Sequence, residues 1–313
     1  MKTAVLLSYT GLGSNLLHLS YCHQIAKKYG PVTIITLCEN LNQVLTKDPQ
    51  IKEVVYLNKY FKKFTDIFNL SRFLAELNID NIFIFYPSIR FFVASKLAKI
   101  KYIKCYPFFD KKKLHLVNAA RRFTEKVLDI ENCPTETRIF IDKTEKDIAS
   151  KKIINSKKNV ILGIGSSGPT TRWGSKNYIN LIKKLIEKNN FFFFLLCGPN
   201  EKDIADAILK EVDKNYCISL DGKKISEIIP LISLADIYVG NDSFGQHVAS
   251  QCNIPSIIIM LDTPKAYSDY SVNQFRILPE GVNENDISHD SNFSPDTIKV
   301  EKVFKKIFSL LKL

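Results

Sequence analysis

The chain alternates short, almost continuous apolar runs with helix-length amphipathic stretches, and it does so twice. Thr3–Ser8, Val32–Leu37, Val54–Leu57 and Ile82–Tyr86 are apolar runs of strand length, while Leu16–Tyr29 and Thr65–Leu77 carry apolar residues at helical spacing. Asn40–Leu45 is placed to begin a further short helix before Pro49. The rhythm restarts at Val160–Ile164, Phe191–Leu196, Cys217–Leu220, Ile237–Gly240 and Ser256–Met260. Helices are expected there over Ser175–Lys188, Glu201–Val212, Ile225–Ala235 and Phe244–Gln251. Strands apolar on both faces must be covered on both faces, so each half predicts a parallel sheet between helix layers. Residues 142–158 are charged, poor in aromatics and followed by a fresh strand, which divides the chain into domains 1–150 and 151–313. Asp296–Leu313 reads as an amphipathic helix that either packs on the second domain or crosses back to the first.

Composition narrows the functional classes. At 313 residues, 45% hydrophobic and 24% charged, the chain supports two cores and is neither disordered nor fibrous. No run approaches the ~18 apolar residues of a membrane span. Ser8-Tyr9-Thr10-Gly11 interrupts the first apolar run before a secretory signal can form. The seven cysteines are scattered, odd in number and without a C-x-x-C pair, which argues against disulfides and zinc and for a reducing cytoplasm.

The net charge is +12, yet only seven of the 44 basic residues are Arg, and the richness in Lys, Ile and Asn fits an A/T-rich codon bias. Between Lys96 and Arg122 the charge is nonetheless local. Lys96, Lys99, Lys101, Lys104, Lys111, Lys112, Lys113, Arg121 and Arg122 meet a single acid, Asp110, and alternate with Phe91, Phe92, Tyr102, Tyr106, Phe108 and Phe109. Lys59-Tyr60-Phe61-Lys62-Lys63-Phe64 is a smaller knot of the same kind. Such pairing suits an anionic membrane surface or a phosphorylated lipid-like acceptor. Single-stranded nucleic acid uses the same pairing, but no recognition motif accompanies the charge, so no nucleic-acid partner is expected. A merely solvated face is the plain alternative.

In an open parallel sheet, ligands sit beyond the C-terminal strand ends. Four such loops stand out. Tyr9-Thr10-Gly11-Leu12-Gly13-Ser14-Asn15 leads from the first strand into a helix, as a ligand loop or as a tight turn capped by Ser14 or Asn15. Gly163-Ile164-Gly165-Ser166-Ser167-Gly168 is a literal G-x-G-x-x-G, but Pro169 to Gly174 intervene before any helix, and the next strand ends in Cys197-Gly198 without an acid for a ribose. That context disfavours an NAD(P)-dependent oxidoreductase. The hydroxyls of this loop, with Arg172 and Lys176, suit a phosphate or diphosphate, and Trp173 either packs or stacks. Gly198-Pro199-Asn200-Glu201 offers an acid for the helix dipole or for a ribose. Asn241-Asp242-Ser243 sits at a predicted helix N-terminus with His247 one turn on, where N–H groups and dipole attract phosphate. Asp242 either holds a sugar hydroxyl or caps the helix.

The fourth loop resembles the nucleotide-sugar signature of glycosyltransferase family 9, the ADP-heptose:lipopolysaccharide heptosyltransferases, "A-D-x-x-[VI]-x-x-D-[ST]-G-x-x-H-[LIV]-A-[AS]". Here it reads Ala235-Asp236, Asp242-Ser243 and His247-Val248-Ala249-Ser250, with Phe244 in the place of the Gly and Gly245 next. The strand–G-x-G–helix opening, the Gly163–Trp173 loop, Gly198-Pro199-Asn200-Glu201, and Pro255 with Met260–Pro264 follow the family's order; the likeness is strong over 159–265 and weak before it. The resemblance implies a GT-B fold, two Rossmann-like α/β domains with parallel sheets facing a central cleft, acceptor in the first and donor in the second. It implies an inverting, metal-independent transfer of a sugar, heptose by family default, from a nucleoside-diphosphate donor (ADP-heptose first) to a lipopolysaccharide-core or other glycan acceptor. No cofactor is expected beside that substrate, and the place is the cytoplasm, peripheral at the inner leaflet.

Carried over residue by residue, donor contacts fall on Ser166, Thr170, Thr171, Arg172, Lys176, Glu201, Asn241, Asp242, Ser243, Phe244, Gly245 and His247. Acceptor contacts fall on Gly11, Gly13, Lys111, Lys112 and Lys113, and the catalytic set on Ser14, Asn15 and His18. Two departures stand out: Ser14 replaces the family's presumed base, an Asp, and Thr171 replaces a Lys. A serine hydroxyl is no base at neutral pH, so a non-catalytic nucleotide-sugar-binding protein is the alternative reading.

Overall fold

The computed structural model describes residues 1–57, 63–107, 116–166, 168–188 and 190–313. Lys111, Lys112, Lys113, Ser167 and the 59–62 part of the basic knot lie outside the described residues. The chain forms two compact units, Met1–Phe140 and Ile141–Leu313.

In the first unit the order is β1 (Thr3–Leu7), α1 (Leu12–Leu17), α2 (Leu19–Tyr29), β2 (Val32–Thr36), α3 (Asn42–Leu45), β3 (Ile51–Tyr56), α4 (Ile67–Glu76), β4 (Asn81–Ile84), α5 (Ile89–Leu97), β5 (Tyr102–Cys105) and α6 (Leu116–Leu128). All pairings are parallel, in the order β3-β2-β1-β4-β5. Every residue of β1, β2 and β4 is buried. Ala4, Leu6, Ile35, Ile82 and Ile84 meet Leu70, Leu74 and Phe91 in the core. The single helix expected over 16–29 is two, broken at His18, whose φ of −87° and ψ of −3° end one turn and begin the next.

The basic stretch conceals three elements that apolar periodicity does not announce. In β5, Tyr102 and Lys104 are exposed while Ile103 and Cys105 are half-buried, because β5 is an edge strand. α5 is apolar nearly all round. α6 is amphipathic, burying Val117, Ala120, Phe123, Thr124 and Leu128 beneath Arg121 and Arg122.

The second unit runs α7 (Lys143–Ser150), β6 (Lys158–Gly163), α8 (Ser175–Ile186), β7 (Phe191–Leu196), α9 (Lys202–Glu211), β8 (Cys217–Ser219), α10 (Ile225–Ile232), β9 (Ile237–Asn241), α11 (Phe244–Gln251), β10 (Ser256–Ile259), β11 (Gln274–Ile277) and α12 (Val300–Leu311). Its six parallel strands lie in the order β11-β10-β9-β6-β7-β8. The phenylalanines of β7 are buried, Phe191 and Phe193 on the face that also holds Val160, Leu162, Val239 and Ile257. α12 lays Val303 and Ile307 onto this core, against α8 and β10. The C-terminal helix thus packs on the second unit.

The charged segment 141–150, grouped with the first half on composition, belongs to the second unit. Asp142 caps α7 by accepting from Thr144 N and Glu145 N, α7 packs on α10, and Lys152 pairs with Glu227 at 3.4 Å. Among the described residues no helix is long and apolar enough to cross a membrane. Both sheets wind outward from their first strand in one direction and then return to its other side. Each therefore has a switch point, β1/β4 and β6/β9, where loops diverge and a ligand can enter.

Candidate functional site

At the β6/β9 switch point the backbones approach closely. Gly163 and Gly240 are register partners. A Cβ on Gly163 would lie 1.9 Å from the Tyr238 hydroxyl, and one on Gly240 would lie 2.5 Å from the Gly163 carbonyl. One on Gly245, in the first turn of α11, would lie 2.5 Å from Leu196 and 2.6 Å from the Tyr238 ring. Gly240 lets the two strand backbones approach, while Gly163 and Gly245 make room for buried Tyr238, whose hydroxyl donates to Asn241 O at 3.0 Å and meets Ser243 Oγ at 3.2 Å. The glycine one position late in the α11 motif is thus a packing requirement. Phe244 beside it is half-buried.

Asn241 is wholly buried, and its side chain is a clasp. Nδ2 donates to Ile164 O at 3.0 Å, while Oδ1 accepts from Trp173 N at 3.0 Å and from the Tyr178 hydroxyl at 3.3 Å. Trp173 packs: its ring is buried and its indole N–H donates to Ile298 O at 3.0 Å.

The loop after β6 folds on itself. The Ser166 and Thr171 hydroxyls are bonded to each other and lie 2.9 and 2.8 Å from Gly168 O. Thr170 and Lys176 are exposed. Arg172 donates to Ser166 O at 3.2 Å and to Glu201 Oε1 at 2.7 Å, with the two side chains 23% and 11% exposed. Glu201 Oε2 accepts from Gly198 N at 2.9 Å, and Gly165 and Gly198 leave space for it. Glu201 is therefore both a cap and the counter-ion that fixes the guanidinium beyond the C-terminal ends of β6 and β7.

Asp242 has a 6% exposed side chain, and burial pushes its carboxyl up to about 7 against one favourable bond from Gln246. Gln246 Nε2 donates to Asp242 Oδ1 at 2.8 Å. His247 stands 4.0 Å from the same oxygen, bonds Tyr270 Oη through Nδ1 at 2.8 Å and stacks on that ring. Gln274 donates to Gln246 Oε1 at 2.6 Å.

The first unit has a matching clasp and different chemistry. Asn15 Nδ2 donates to Tyr9 O and Gly11 O at 3.0 and 2.7 Å, and Oδ1 accepts from Thr36 Oγ1 at 2.7 Å. Gly11 is the exposed N-cap of α1, and Gly13 and half-buried Ser14 lie in its first turn. His18 has no exposed surface; its ring stacks on Tyr9 and meets Tyr21 and Phe85 edge-on. Its Nδ1 lies 2.7 Å from Ser14 O, an acceptor only, so Nδ1 carries the proton and Nε2, without a hydrogen-bond partner, is the basic atom. Burial lowers His18 to about 4. The ring presents no surface to solvent and braces the Ser14 turn.

The structure thus brings together Ser166, Thr171, Arg172 and Glu201 in one cluster, and Asp242, Ser243 and His247 at the start of α11. Ser14 and Asn15 lie in α1, and His18 closes it. Reading the sequence missed Tyr238, Gln246, Tyr270 and Gln274. The spaced glycines signal Tyr238, and a Gln one turn after Asp242 hints at Gln246; for the other two we find no signal. Among the described residues no grouping of three or more His, Cys, Asp or Glu could hold a metal ion.

The model of glycosyltransferase family 9 (heptosyltransferase) matches residues 96–288. Lipopolysaccharide heptosyltransferase 1 of Campylobacter coli is 27% identical over 248 residues, covering 75% of this chain and 64% of that protein. The match thus spans just under two thirds of that relative's length. Among solved structures, the Escherichia coli ADP-heptose lipopolysaccharide heptosyltransferase II superposes with a TM-score of 0.78 at 17% identity, over 100% of this chain and 99% of that one. A family 9 glycosyl transferase from Veillonella parvula superposes with a TM-score of 0.79 at 18% identity, over 99% and 97%. These two likenesses are of fold, two parallel-sheet α/β units of the GT-B class. With its family model matched over more than half its length, the chain belongs to glycosyltransferase family 9.

Proposed function

We propose that this protein transfers a sugar, heptose in the first instance, from a nucleoside-diphosphate donor to a lipopolysaccharide-core or related glycan acceptor, with inversion and without a metal. The observation that carries the reading is the polar cluster at the β6/β9 switch point. Arg172 and the N–H groups opening α11 are suited to the diphosphate, whose charge grows as the glycosidic bond breaks. Asp242 accepts from a sugar hydroxyl. Arg172 stands next to the position where the family's Lys is replaced by Thr171 and supplies the missing cation. The acceptor loop is Gly11–Asn15, and the acceptor hydroxyl must lose a proton as it attacks.

The acceptor's membrane is addressed by the basic face of the first unit, on the cytoplasmic side. Lys96 lies over Phe92 and Lys101 over Tyr102, at 5.8 and 5.2 Å from the ring centroids. Ile89, Leu97 and Tyr102 are 57%, 48% and 46% exposed beside them. Calorimetric titration with ADP, UDP, GDP and NAD tests the donor site. One nucleoside diphosphate binds the wild type and fails to bind Arg172→Ala and Asp242→Ala; equal binding by the variants refutes the assignment.

Ser14 and the closed His18 favour one second reading, a protein that binds the nucleotide sugar without turning it over. Assaying donor consumption in the presence of acceptor glycan separates the two: a catalyst consumes it as wild type, a binder does so neither as wild type nor as Ser14→Asp.

A further inference from the structure

A chain of side-chain amides leads from Asp242 through Gln246 of α11 to Gln274 of β11, and the direction of every bond in it is determined. At the far end, the backbone N–H groups of Tyr270 and Ser271 point at Gln274 Oε1, 3.2 and 3.1 Å away. An N–H can only donate, so Gln274 must turn its oxygen to them and its nitrogen to Gln246. Gln246 then presents Oε1 to Gln274 at 2.6 Å and Nε2 to Asp242 at 2.8 Å. A second anchor agrees: the Tyr267 carbonyl, which can only accept, lies 3.3 Å from Gln246 Nε2. Gln246 is wholly buried and Gln274 is 8% exposed, so water is a poor substitute for either partner.

We propose that Gln246 and Gln274 are positioning residues for Asp242: a relay of two amides, set in direction by the Tyr270–Ser271 backbone, obliges the Asp242 oxygen nearest α11 to be an acceptor and leaves the other for ligand. The inference deepens the donor-site reading, from which Asp242 takes its role. It also makes the segment between β10 and β11 part of the site. A movement that withdraws Tyr270 and Ser271 frees Gln246 to rotate and present its oxygen to the carboxylate. The titratable groups facing Asp242 are His247 from α11, Tyr238 from β9 and Tyr267 from the 267–271 segment.

The test is an NMR titration of the intact protein carrying 13C-carboxyl aspartate, with the Asp242 signal assigned by its loss in Asp242→Asn. Gln246→Met, nearly isosteric, removes the donor and raises the Asp242 midpoint by about one pH unit. Gln274→Glu keeps an acceptor for the Tyr270 and Ser271 N–H groups but turns Gln246 round, and raises the midpoint further. The double variant titrates like Gln246→Met alone, because the effect of residue 274 passes through Gln246. No shift in Gln246→Met overturns the proposal. So does a Gln274→Glu shift that persists in the double variant, which would show a charge acting through space. The titration uses no donor, so failure of nucleotide binding would overturn the donor-site reading and leave the relay standing.

Discussion

The two units solve the same folding problem with the same device and then diverge in chemistry. In each, an asparagine clasps the loop that leaves the first strand: Asn15 holds the Tyr9 and Gly11 carbonyls, and Asn241 holds Ile164 and Trp173. Beyond the clasp, the first unit surrounds a titratable ring with aromatics, while the second surrounds a carboxyl with amides and an imidazole. His18 is dry and rests on one backbone carbonyl. Asp242 is wired into a network that reaches another loop. A buried group kept neutral among rings supports structure, whereas a buried carboxyl with a directed donor holds a geometry for something else.

The sharpest break in the comparison is at the glycines. Gly240→Ala would push a methyl into the Gly163 backbone, where nothing can yield, and is expected to cost about 4 kcal/mol or more. Gly11→Ala meets only Ser14 Oγ at 3.8 Å, an ordinary contact, and should stay within about 0.5 kcal/mol. Urea unfolding of both variants measures the contrast; equal losses would mean that the first loop is as tightly packed as the second.

The next effect has opposite signs in the two units. Asp242 titrates near 7 folded against 3.8 for the ordinary group, so between those values the folded state holds more protons. Stability of the second unit should fall as pH rises through that window, by about 4 kcal/mol at most, and Asp242→Asn should flatten the slope. His18 falls from 6.5 to about 4, so there the unfolded state holds more protons. The first unit should lose about 3 kcal/mol as pH drops from 6.5 to 4, and His18→Leu should remove that loss. Trp173, the single tryptophan, reports on the second unit by fluorescence, and amide exchange in β1 and β2 reports on the first. Parallel pH profiles in the two units would undo the distinction.

The clasps themselves come third. Asn241→Ala strands Trp173 N and the Ile164 carbonyl in the core and should cost about 3 kcal/mol; Asn15→Ala leaves the Tyr9 carbonyl and the Thr36 hydroxyl without their partner, while the Gly11 carbonyl keeps the backbone N–H of residue 15, and should cost about 2 kcal/mol. Thermal unfolding measures both, and a reversed order would place the tighter loop in the first unit.

How much of this was legible follows from what kind of signal each feature leaves. The strands of the second unit are apolar without interruption, and β7 is read to its end residues from Phe191–Leu196 alone. β5 leaves no such mark: exposed Tyr102 and Lys104 alternate with half-buried Ile103 and Cys105, and it reads as surface. Asp242, Ser243 and His247 were legible because polar residues crowd the start of a buried helix. Gln274 was not, since a buried Gln is selected by a partner 28 positions away that no local pattern contains. His18 was legible as a titratable group, but its burial by Tyr9, Tyr21 and Phe85 was not, because that is a property of the folded chain.

The smallest effect concerns charge, which the comparison places on the first unit. Lys101, just before β5, and Lys104 within it flank exposed Tyr102. Lys214 is as exposed in the second unit, on the turn between α9 and β8. Near an anionic bilayer each Lys contributes about 1 kcal/mol, screened by salt. Lys101→Ala and Lys104→Ala should therefore each weaken binding to phosphatidylglycerol vesicles about fivefold at low ionic strength, and Lys214→Ala should leave it unchanged. If all three weaken it alike, the attraction is that of a chain with net charge +12 and no addressed face. If only the first two do, the first unit is the one that meets the membrane.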